Sequence, residues 1–529
     1  MSVTDAPEGS IGSSAILRQR PAGPDELRVL RRRDWATVGI VAAVLVGIAL
    51  RFLSRGPLWL DEAQSVAIAR QPLDHLAAAL RHDGAPPLYY VLLHGWMKLF
   101  GTSTFAVRSL SAVPAVLALP ATLRLGRRFG GDAVGIAAVT LLAVSPFAVR
   151  YAVETRMYSL LLLLGVLGAH AVLSVHRHRT TRAALGVALV SSAMLYTHYY
   201  AVFVLTVLGA AELWIWWRRR DGAALAVVAG VVAGGLTFLP WLPDFLYQSR
   251  HTGAPWNSPP DANAVIGTID SWMGGARPAA QLASLIALGC VVVALIGQRG
   301  RRGQVVLQTR IAPEPARLFG VVVGALVLAI VVDGATQQAY APRYLSFGAA
   351  LFLVVVGCGI AVLPSRRARR IMLALLVVAD LSVCLENAWQ PRTQAGEVAA
   401  VLNAKARPGD VIVYCPDQTG PSTSRLLHTS ARQLVFPNFG SPKVVDWVDY
   451  RDRIADADPT KFGNAIDKLA GHHRVWLVWS LQVKPLTKDC AGLIDHFVAS
   501  RGLPAQPVTR HPEFSETMSL NEYGPPRHG

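Results

Sequence analysis

The sequence predicts an α-helical membrane protein that crosses the bilayer many times and ends in a small soluble α/β domain. Of the 529 residues, 52% are hydrophobic and only 16% are charged, whereas soluble domains carry about 25% charged residues. The mean hydropathy is +0.36. The apolar residues are also grouped into long runs, and these runs give the number of expected helices.

Eleven apolar runs are about long enough to cross a bilayer. They cover residues 35–53, 105–123, 133–149, 158–175, 183–196, 200–217, 223–241, 279–296, 318–332, 345–363 and 371–385. No small-residue cleavage site follows the first run, so we interpret it as an uncleaved anchor helix. The sequence therefore predicts a cytoplasmic tail over 1–34 and a transmembrane domain over 35–389, with about 11 spanning helices.

The formal net charge of +17 comes from short basic clusters that lie between alternate apolar runs. The clusters fall at residues 31–33, 124–128, 177–182, 218–220, 299–302 and 366–370. Because cytoplasmic loops are enriched in Lys and Arg, these turns and the N-terminus are predicted to be inside. The clusters form no continuous basic face, so nucleic acid is not an expected partner.

One further apolar segment, residues 86–100, is about 15 residues long and short for a span. If it crossed, every later basic turn would move to the outer side. We therefore expect it to lie along the outer interface or to dip into it. With eleven crossings and the N-terminus inside, the C-terminus is outside.

The last 140 residues or so differ in composition from the rest of the chain. Short β-rich runs at 410–414, 433–436 and 474–479 alternate with helical patterns at 396–406, 462–470 and 491–501. This pattern predicts an extracytoplasmic α/β domain over 390–529. Cys415 and Cys490 both lie in it, where a disulfide can form, and the sequence leaves open whether they pair.

Unusual polar residues gather at the ends of the apolar runs that are predicted to be outside. They are Asp61, Glu62, His82, Asp83, Glu154, Arg156, His198, Tyr199, Arg343 and Tyr344. Acids, histidines and arginines at one interface can hold an anionic lipid headgroup and deprotonate a hydroxyl. This clustering predicts an active site at the outer face.

Structural interpretations of the same residues stay open at this point. Asp61 or Glu62 suits the first turn of a helix, where acids are favoured. Glu154 can pair with Arg150 one turn earlier. Asp83 precedes a Gly-Ala-Pro-Pro turn sequence. Taken one at a time, none of these signals is specific.

Four short motifs together make the signal specific. They are LWLDEA at 58–63, DGAPPLYY at 83–90, YAVETRMY at 151–158 and PRY at 342–344. In this order they resemble the polyprenyl-phosphate-dependent glycosyltransferases of the membrane C-type fold. Within that superfamily the chain is similar to the bacterial protein-mannosyltransferase-like and aminoarabinose-transferase-like group. The likeness covers about residues 51–363.

The resemblance implies that the acidic pair Asp61 and Glu62 carries catalysis, with Asp61 as the base. It also implies that Arg343 faces the donor phosphate, and we assign Arg156 and Tyr344 to the same subsite. The remaining candidates for substrate binding are Asp83, His82, Glu154, Tyr158, His198 and Tyr199. Some relatives bind a divalent metal through an acid and a histidine, so a metal stays possible here, and no other cofactor is expected.

The expected reaction is inverting transfer of a sugar from a polyprenyl-phosphate donor to a hydroxyl of an envelope glycan, lipid or protein. The expected location is the bacterial plasma membrane, with membrane lipid around the helices. The alternative is a membrane transporter or lipid flippase, which typically places ionisable residues near the middle of the membrane. Asp380, in the last apolar run, is the exception that fits this alternative.

Overall fold

The computed structural model describes residues 24–53, 56–253, 259–300, 304–481 and 486–526, with the backbone alone at 24–34 and at Trp389. The chain forms two compact units, Met1–Ala42 and Ala43–Gly529. The first unit contains the beginning of helix α1 (Pro24–Leu50), and every other described element lies in the second.

Helices dominate the second unit as far as residue 389. They are α2 Leu60–Ala69, α3 Leu73–Arg81, α4 Leu88–Phe100, α5 Thr104–Val144, α6 Pro146–Ala152, α7 Tyr158–His178, α8 Thr181–Thr197, α9 Ala201–Arg219, α10 Gly222–Leu236, α11 Leu242–His251, α12 Ala264–Trp272, α13 Pro278–Ile296, α14 Pro313–Thr336, α15 Ser346–Val362 and α16 Arg366–Trp389. A small antiparallel hairpin of β1 (Gly297–Arg299) and β2 (Val305–Leu307) joins α13 to α14.

Eight helical stretches among the described residues are long and apolar enough to cross a membrane. They are α5, α7, α9, α10 with α11, α13, α14, α15 and α16. The prediction of a multi-pass membrane protein is therefore confirmed. The other predicted spans are also helical: α1 has an apolar part of shorter length, Trp35–Leu50, and α8 has 17 residues. The total of eleven stays a prediction.

Helix α5 contains two of the predicted spans. It is 41 residues long, and its backbone is not helical at Gly130 and Gly131, where Gly131 has φ of 70°. The two halves touch beside this break, because a Cβ on Gly126 would lie 2.7 Å from the Cα of Gly135. Glycine is needed both for the left-handed turn and for this close approach, and α5 is in effect a helical hairpin.

Helix α4 is the segment that the charge pattern excluded as a span. It has 13 residues and is about 20 Å long, less than the roughly 30 Å of a bilayer core. Several of its large apolar side chains are exposed, among them Val91, Leu92, Leu99 and Phe100. These features suit a helix at an interface.

Three of the basic turns, those after the first half of α5, after α7 and after α9, lie near one another at one end of the helical bundle. The Arg179 guanidinium lies 3.0 Å from a carboxylate oxygen of Asp221, which joins the α7–α8 turn to the α9–α10 turn. The α5 break and the start of α14 line the same cavity as His176 near the end of α7. Glu154 and Arg156 precede α7, which has 21 residues and is about 30 Å long. The acidic motif at 151–158 and these three basic turns are therefore at opposite ends of α7.

The residues after α16 form a sandwich of helices around a five-stranded sheet. Its elements are α17 Ala395–Lys405, β3 Val411–Cys415, α18 Gly420–Ser424, β4 Arg432–Val435, α19 Tyr450–Ala455, α20 Pro459–Ala470, β5 Val475–Trp479, α21 Thr487–Arg501, β6 Ala505–Val508 and β7 Ser519–Tyr523. The strand order is β4-β3-β5-β7-β6. Strands β3, β4 and β5 are parallel, and β5, β7 and β6 pair antiparallel. We call residues 390–526 the C-terminal domain.

Both faces of the sheet are covered, as the apolar strands require. Val411 and Val413 face a core with α20 and α21, while Ile412 and Tyr414 face a core with α17, because alternate side chains of a strand point to opposite faces. The Cys415–Cys490 disulfide links β3 to α21 and answers the question that the sequence left open.

Candidate active site

The site is organised by α2, whose first turn carries Asp61 and Glu62. Acids are favoured there because the amino end of a helix is partly positive. Neighbouring helix residues point about 100° apart, and the two acids have different surroundings. Glu62 is 0% exposed, whereas Asp61 is half-buried and its carboxylate has no hydrogen bond within the described residues.

Glu62 is fully occupied by contacts with the protein. Its oxygens accept hydrogen bonds from Arg108 Nε at 2.8 Å and Nη2 at 2.6 Å, and from the Thr155 backbone N–H at 2.9 Å. Burial opposes the charge of Glu62, but Arg108, Arg392 and the Thr155 N–H together outweigh it and hold the pKa of Glu62 below its ordinary value. Glu62 is therefore an ionised anchor between α2, α5 and the turn before α7.

Asp83 lies at the centre of a second polar group. Its oxygens accept hydrogen bonds from Gln64 Nε2 at 2.6 Å and from Tyr90 Oη at 2.5 Å. The guanidinium of Arg156 donates to Tyr90 Oη at 3.3 Å and to Ser65 Oγ at 3.1 Å. The three predicted site segments after α1, before α4 and before α7 thus meet through hydrogen bonds.

Arg343 approaches this group from the turn before α15. Its Nε donates to Tyr158 Oη at 3.1 Å, and its guanidinium lies 5.9 Å from the Tyr158 ring centre and 5.6 Å from that of Tyr344. Asp61 interacts electrostatically with both Arg343 and Arg156. The half-buried Asp61 carboxylate therefore lies within electrostatic range of two cations, neither of which forms an ion pair with a carboxylate among the described residues.

His198 adds a neutral ring beside these cations. Its Nδ1 accepts the Tyr200 backbone N–H at 3.2 Å, and its ring centre is 5.1 Å from that of Tyr344. Burial, together with the charges of Arg156 and Arg343, lowers the pKa of His198 to about 3. The imidazole is therefore uncharged near neutral pH, with Nε2 as its N–H donor.

Glu154 is 1% exposed and lies at the edge of the site. Its partner is Arg392 of the C-terminal domain, at 2.7 Å, and the same guanidinium donates to the backbone carbonyl of Arg150. The i,i+4 pair of Glu154 with Arg150, one of the alternatives from the sequence, does not form.

Two predicted residues have their polar groups turned to other partners. Tyr199 Oη donates to Gln248 and accepts from Trp241 Nε1 at 2.9 Å. His82 Nδ1 lies 2.8 Å from a carboxylate oxygen of Asp446 in the C-terminal domain. Both residues therefore support the walls of the site in this structure.

The sequence interpretation missed the contribution of the C-terminal domain. Besides Arg392, this domain supplies Glu516, whose Oε1 accepts a hydrogen bond from Ser422 Oγ at 2.9 Å. The carboxyl group lies beside Leu60 and Asp61 at the start of α2. Burial and, to a smaller extent, the negative charge of Asp61 raise the pKa of Glu516 to about 7. Arg392 could have been noticed, since it lies seven residues after the end of the last apolar run, on the same predicted side.

Metal ligands are not grouped in the part of the chain that the structure describes: no three His, Cys, Asp or Glu side chains are arranged as a metal site. Divalent cations in proteins usually take several oxygen or nitrogen ligands. In the described site, His82 contacts Asp446, and Asp83 contacts Gln64 and Tyr90.

The fold and the site define a class: a polytopic helical protein with an acidic loop at one end of its helices and an adjoining domain. The sequence model of the dolichyl-phosphate-mannose-protein mannosyltransferase family matches residues 84–243, which is less than a third of the chain and includes Glu154, Arg156 and His198. No curated protein matches the chain in sequence.

Two solved structures share the fold over most of the chain. ArnT from Cupriavidus metallidurans bound to undecaprenyl phosphate is 13% identical, with a TM-score of 0.56, and the match covers 92% of this chain and 97% of ArnT. The Archaeoglobus fulgidus oligosaccharyltransferase tethered with an acceptor peptide is 11% identical, with a TM-score of 0.50, covering 89% and 72%. The family model and these two matches agree with the resemblance described above, and at these identities the structural matches show the fold alone.

Proposed function

We propose that this protein transfers a sugar from a polyprenyl-phosphate donor to a hydroxyl acceptor, with inversion at the anomeric carbon. The observation that carries the proposal is the half-buried Asp61 carboxylate, which has no hydrogen bond among the described residues and lies within electrostatic range of Arg156 and Arg343. A free carboxylate opposite two cations provides a base and a phosphate site on one surface.

The two arginines suit the leaving group. A polyprenyl phosphate gains negative charge as the glycosidic bond breaks, and cations in a partly dry site stabilise that charge more strongly than they would in water. Arg343 is held by Tyr158 and Arg156 by Tyr90 and Ser65, so their positions are set before the donor binds. Tyr344, whose ring is tilted by 39° against that of His198, completes this subsite.

Asp61 acts as the general base. It takes the proton of the acceptor hydroxyl while that oxygen attacks the anomeric carbon from the face opposite the phosphate, and the polyprenyl phosphate leaves with the bonding electrons. One displacement needs one base, so a second nucleophile is not required. We assign Glu62 a positioning role, because Arg108 and Thr155 occupy both its oxygens.

The other predicted residues shape the sugar site. The uncharged His198 offers one N–H donor to a sugar hydroxyl, and Tyr158 offers an aromatic face beside Arg343. Asp83 and Glu154 hold the surrounding loops through Tyr90 and Arg392. His82 and Tyr199 support the walls.

We place the site and the C-terminal domain on the extracytoplasmic face of a bacterial plasma membrane, with the N-terminus inside. The support is the position of three basic turns at the end of α7 away from the site and the Cys415–Cys490 disulfide, which suits an oxidising compartment. The acceptor is then an envelope glycan, lipid or protein.

The test incubates purified protein in detergent with radiolabelled polyprenyl-phosphate sugars and follows transfer to added acceptors and to water. Wild type is compared with Asp61→Asn and with the matched control Asp74→Asn, an exposed acid on the neighbouring α3 whose side chain is 78% exposed. We expect turnover in wild type and in the control and a loss in Asp61→Asn. Absence of turnover with every donor would favour the transporter or flippase alternative.

A further inference from the structure

The C-terminal domain contains a cavity of about 410 Å³ that is separate from the residues around Asp61. Its lining includes Asp417, Asn438, Phe439, Tyr450, Asp456 and Lys461. A volume of this size lies within the range of pockets that hold small organic ligands.

The cavity lies where the sheet topology favours a binding site. Asp417 follows the end of β3 and Phe439 follows the end of β4, and these neighbouring strands are parallel. In open sheets with parallel strands, ligands bind outside the carboxyl ends of the strands, where the connecting loops leave a crevice. Helices α19 and α20 close the other side of the cavity.

An aromatic surface forms part of the lining. Phe439 and Phe462 are stacked with ring centres 4.3 Å apart and an angle of 22° between the rings. Phe439 is 43% exposed and has φ of 58°, a conformation that is uncommon for bulky residues and is often found at functional sites. An exposed ring at a cavity suits the C–H face of a sugar ring.

The polar lining combines donors and acceptors. Asp417, 5% exposed, accepts a hydrogen bond from Tyr450 Oη at 2.6 Å. The side chains of Asp456 and Lys461 and the Nδ2 of Asn438 have no hydrogen bond or ion pair within the described residues, so they are available to a ligand. Three carboxylates, Asp417, Asp456 and Asp458, share the lining with Arg453 and Lys461, and Arg453 is also paired with Asp446 at 3.5 Å. The lining therefore has a slight excess of negative charge, which disfavours a phosphate and leaves a neutral molecule with many hydroxyl groups as the better fit.

The segment from Val445 to Tyr450 connects the cavity to the candidate active site. In this segment, the Val445 carbonyl accepts a hydrogen bond from the Gln64 side chain, and the Val445 N–H donates one back to it. The Asp446 carboxylate contacts His82. Gln64 in turn binds Asp83. Residues 445–450 therefore contact the acidic loops at Val445 and Asp446 and line the cavity at Tyr450.

We propose that this cavity binds a neutral hexose or pentose unit of the acceptor glycan and thereby holds the acceptor near Asp61. This inference rests on the proposed function for the identity of the acceptor, while the binding itself can be measured without any transfer. It gives the C-terminal domain a role in acceptor choice.

The experiment measures saturation-transfer NMR signals of mannobiose, galactobiose and arabinobiose with the full-length protein in detergent. An uronic-acid disaccharide and inorganic phosphate are the charged comparisons. The variants are Phe439→Ala and Lys461→Ala, with Leu503→Ala, an exposed apolar residue of the same domain, as the matched control. We expect at least one neutral disaccharide to bind, and its Kd to rise about tenfold in Phe439→Ala, the size of losing one aromatic contact.

Three results would overturn the proposal: no neutral disaccharide binds to wild type, both cavity variants bind as wild type does, or a charged probe binds more tightly than the neutral ones. Thermal unfolding of each variant shows whether the domain is still folded. Asp61→Asn should bind the disaccharide as wild type does. Binding in the cavity without turnover of any donor would contradict the proposed function and leave the saccharide site standing.

Discussion

The neighbouring acids Asp61 and Glu62 offer a sharp test of the site, because isosteric amides should affect them in opposite ways. Glu62→Gln removes the counter-ion of Arg108, which is 4% exposed and makes bonds of 2.8 and 2.6 Å to it. Breaking a buried ion pair costs about 3–5 kcal/mol. The carbonyls of Gly56 and Pro57 still accept from Arg108, so we expect about 3 kcal/mol, the lower end of that range.

Asp61→Asn should leave stability within about 0.5 kcal/mol, as for a half-buried group without a hydrogen bond. Its rate of sugar transfer should fall by about 10²–10⁴, the usual contribution of a general base. Glu62→Gln should instead lower the unfolding midpoint by roughly 6–12 °C, from about 2–4 °C per kcal/mol for larger domains.

Unfolding in detergent can be followed with a thiol-reactive fluorescent dye, since Cys290, Cys358 and Cys384 are free and buried. Transfer is measured with radiolabelled donor on the same preparations. The reasoning would be refuted if Glu62→Gln unfolded at the wild-type temperature, or if Asp61→Asn kept more than about a tenth of the wild-type rate.

Three further predictions concern residues around the same site. The pKa of Glu516 is raised to about 7, so the folded protein binds the Glu516 proton more tightly than the unfolded chain does. The free energy of unfolding should therefore fall as the pH rises from about 4.5 to about 7. Glu516→Gln should remove this part of the pH dependence of the unfolding midpoint. Replacing Cys490 by Ser opens a link between residues 75 positions apart and should destabilise the C-terminal domain by about 4 kcal/mol in denaturant titrations. Arg343→Lys keeps the charge but loses the planar fork, and should raise the KM for donor about tenfold in steady-state kinetics.

Each of these has a result that would count against it. A midpoint of Glu516→Gln that followed pH in parallel with wild type would show that this carboxyl group does not titrate in the window. Equal denaturant midpoints for wild type and Cys490→Ser would remove the disulfide as a source of stability. An unchanged KM in Arg343→Lys, with transfer intact, would move the donor phosphate away from Arg343.

The C-terminal domain contacts the candidate active site directly, although it lies at the other end of the chain from Asp61. Arg392 binds Glu154 across 238 residues of sequence, and Val445 exchanges hydrogen bonds with Gln64. Because these contacts reach the loops that carry Asp61 and Asp83, changes in this domain should alter the geometry of the acidic residues.

The sequence by itself determined the elements that depend on local patterns. The apolar runs gave the membrane helices, since a helix satisfies its own backbone hydrogen bonds in lipid, and the short β-rich runs gave strands β3, β4 and β5. The motifs around Asp61, Asp83, Glu154 and Arg343 gave the family resemblance, because the order of these motifs can be recognised in the sequence without knowing which residues are in contact.

The tertiary structure alone decided which charges pair. Glu62 pairs with Arg108, which lies 46 residues away on another helix. Glu154 pairs with Arg392 rather than with the neighbouring Arg150, and Glu516 lies beside the start of α2. Such pairs form only when distant segments pack and exclude water, so the free energy that selects them comes from burial and geometry across the fold. No local pattern of residues contains that information.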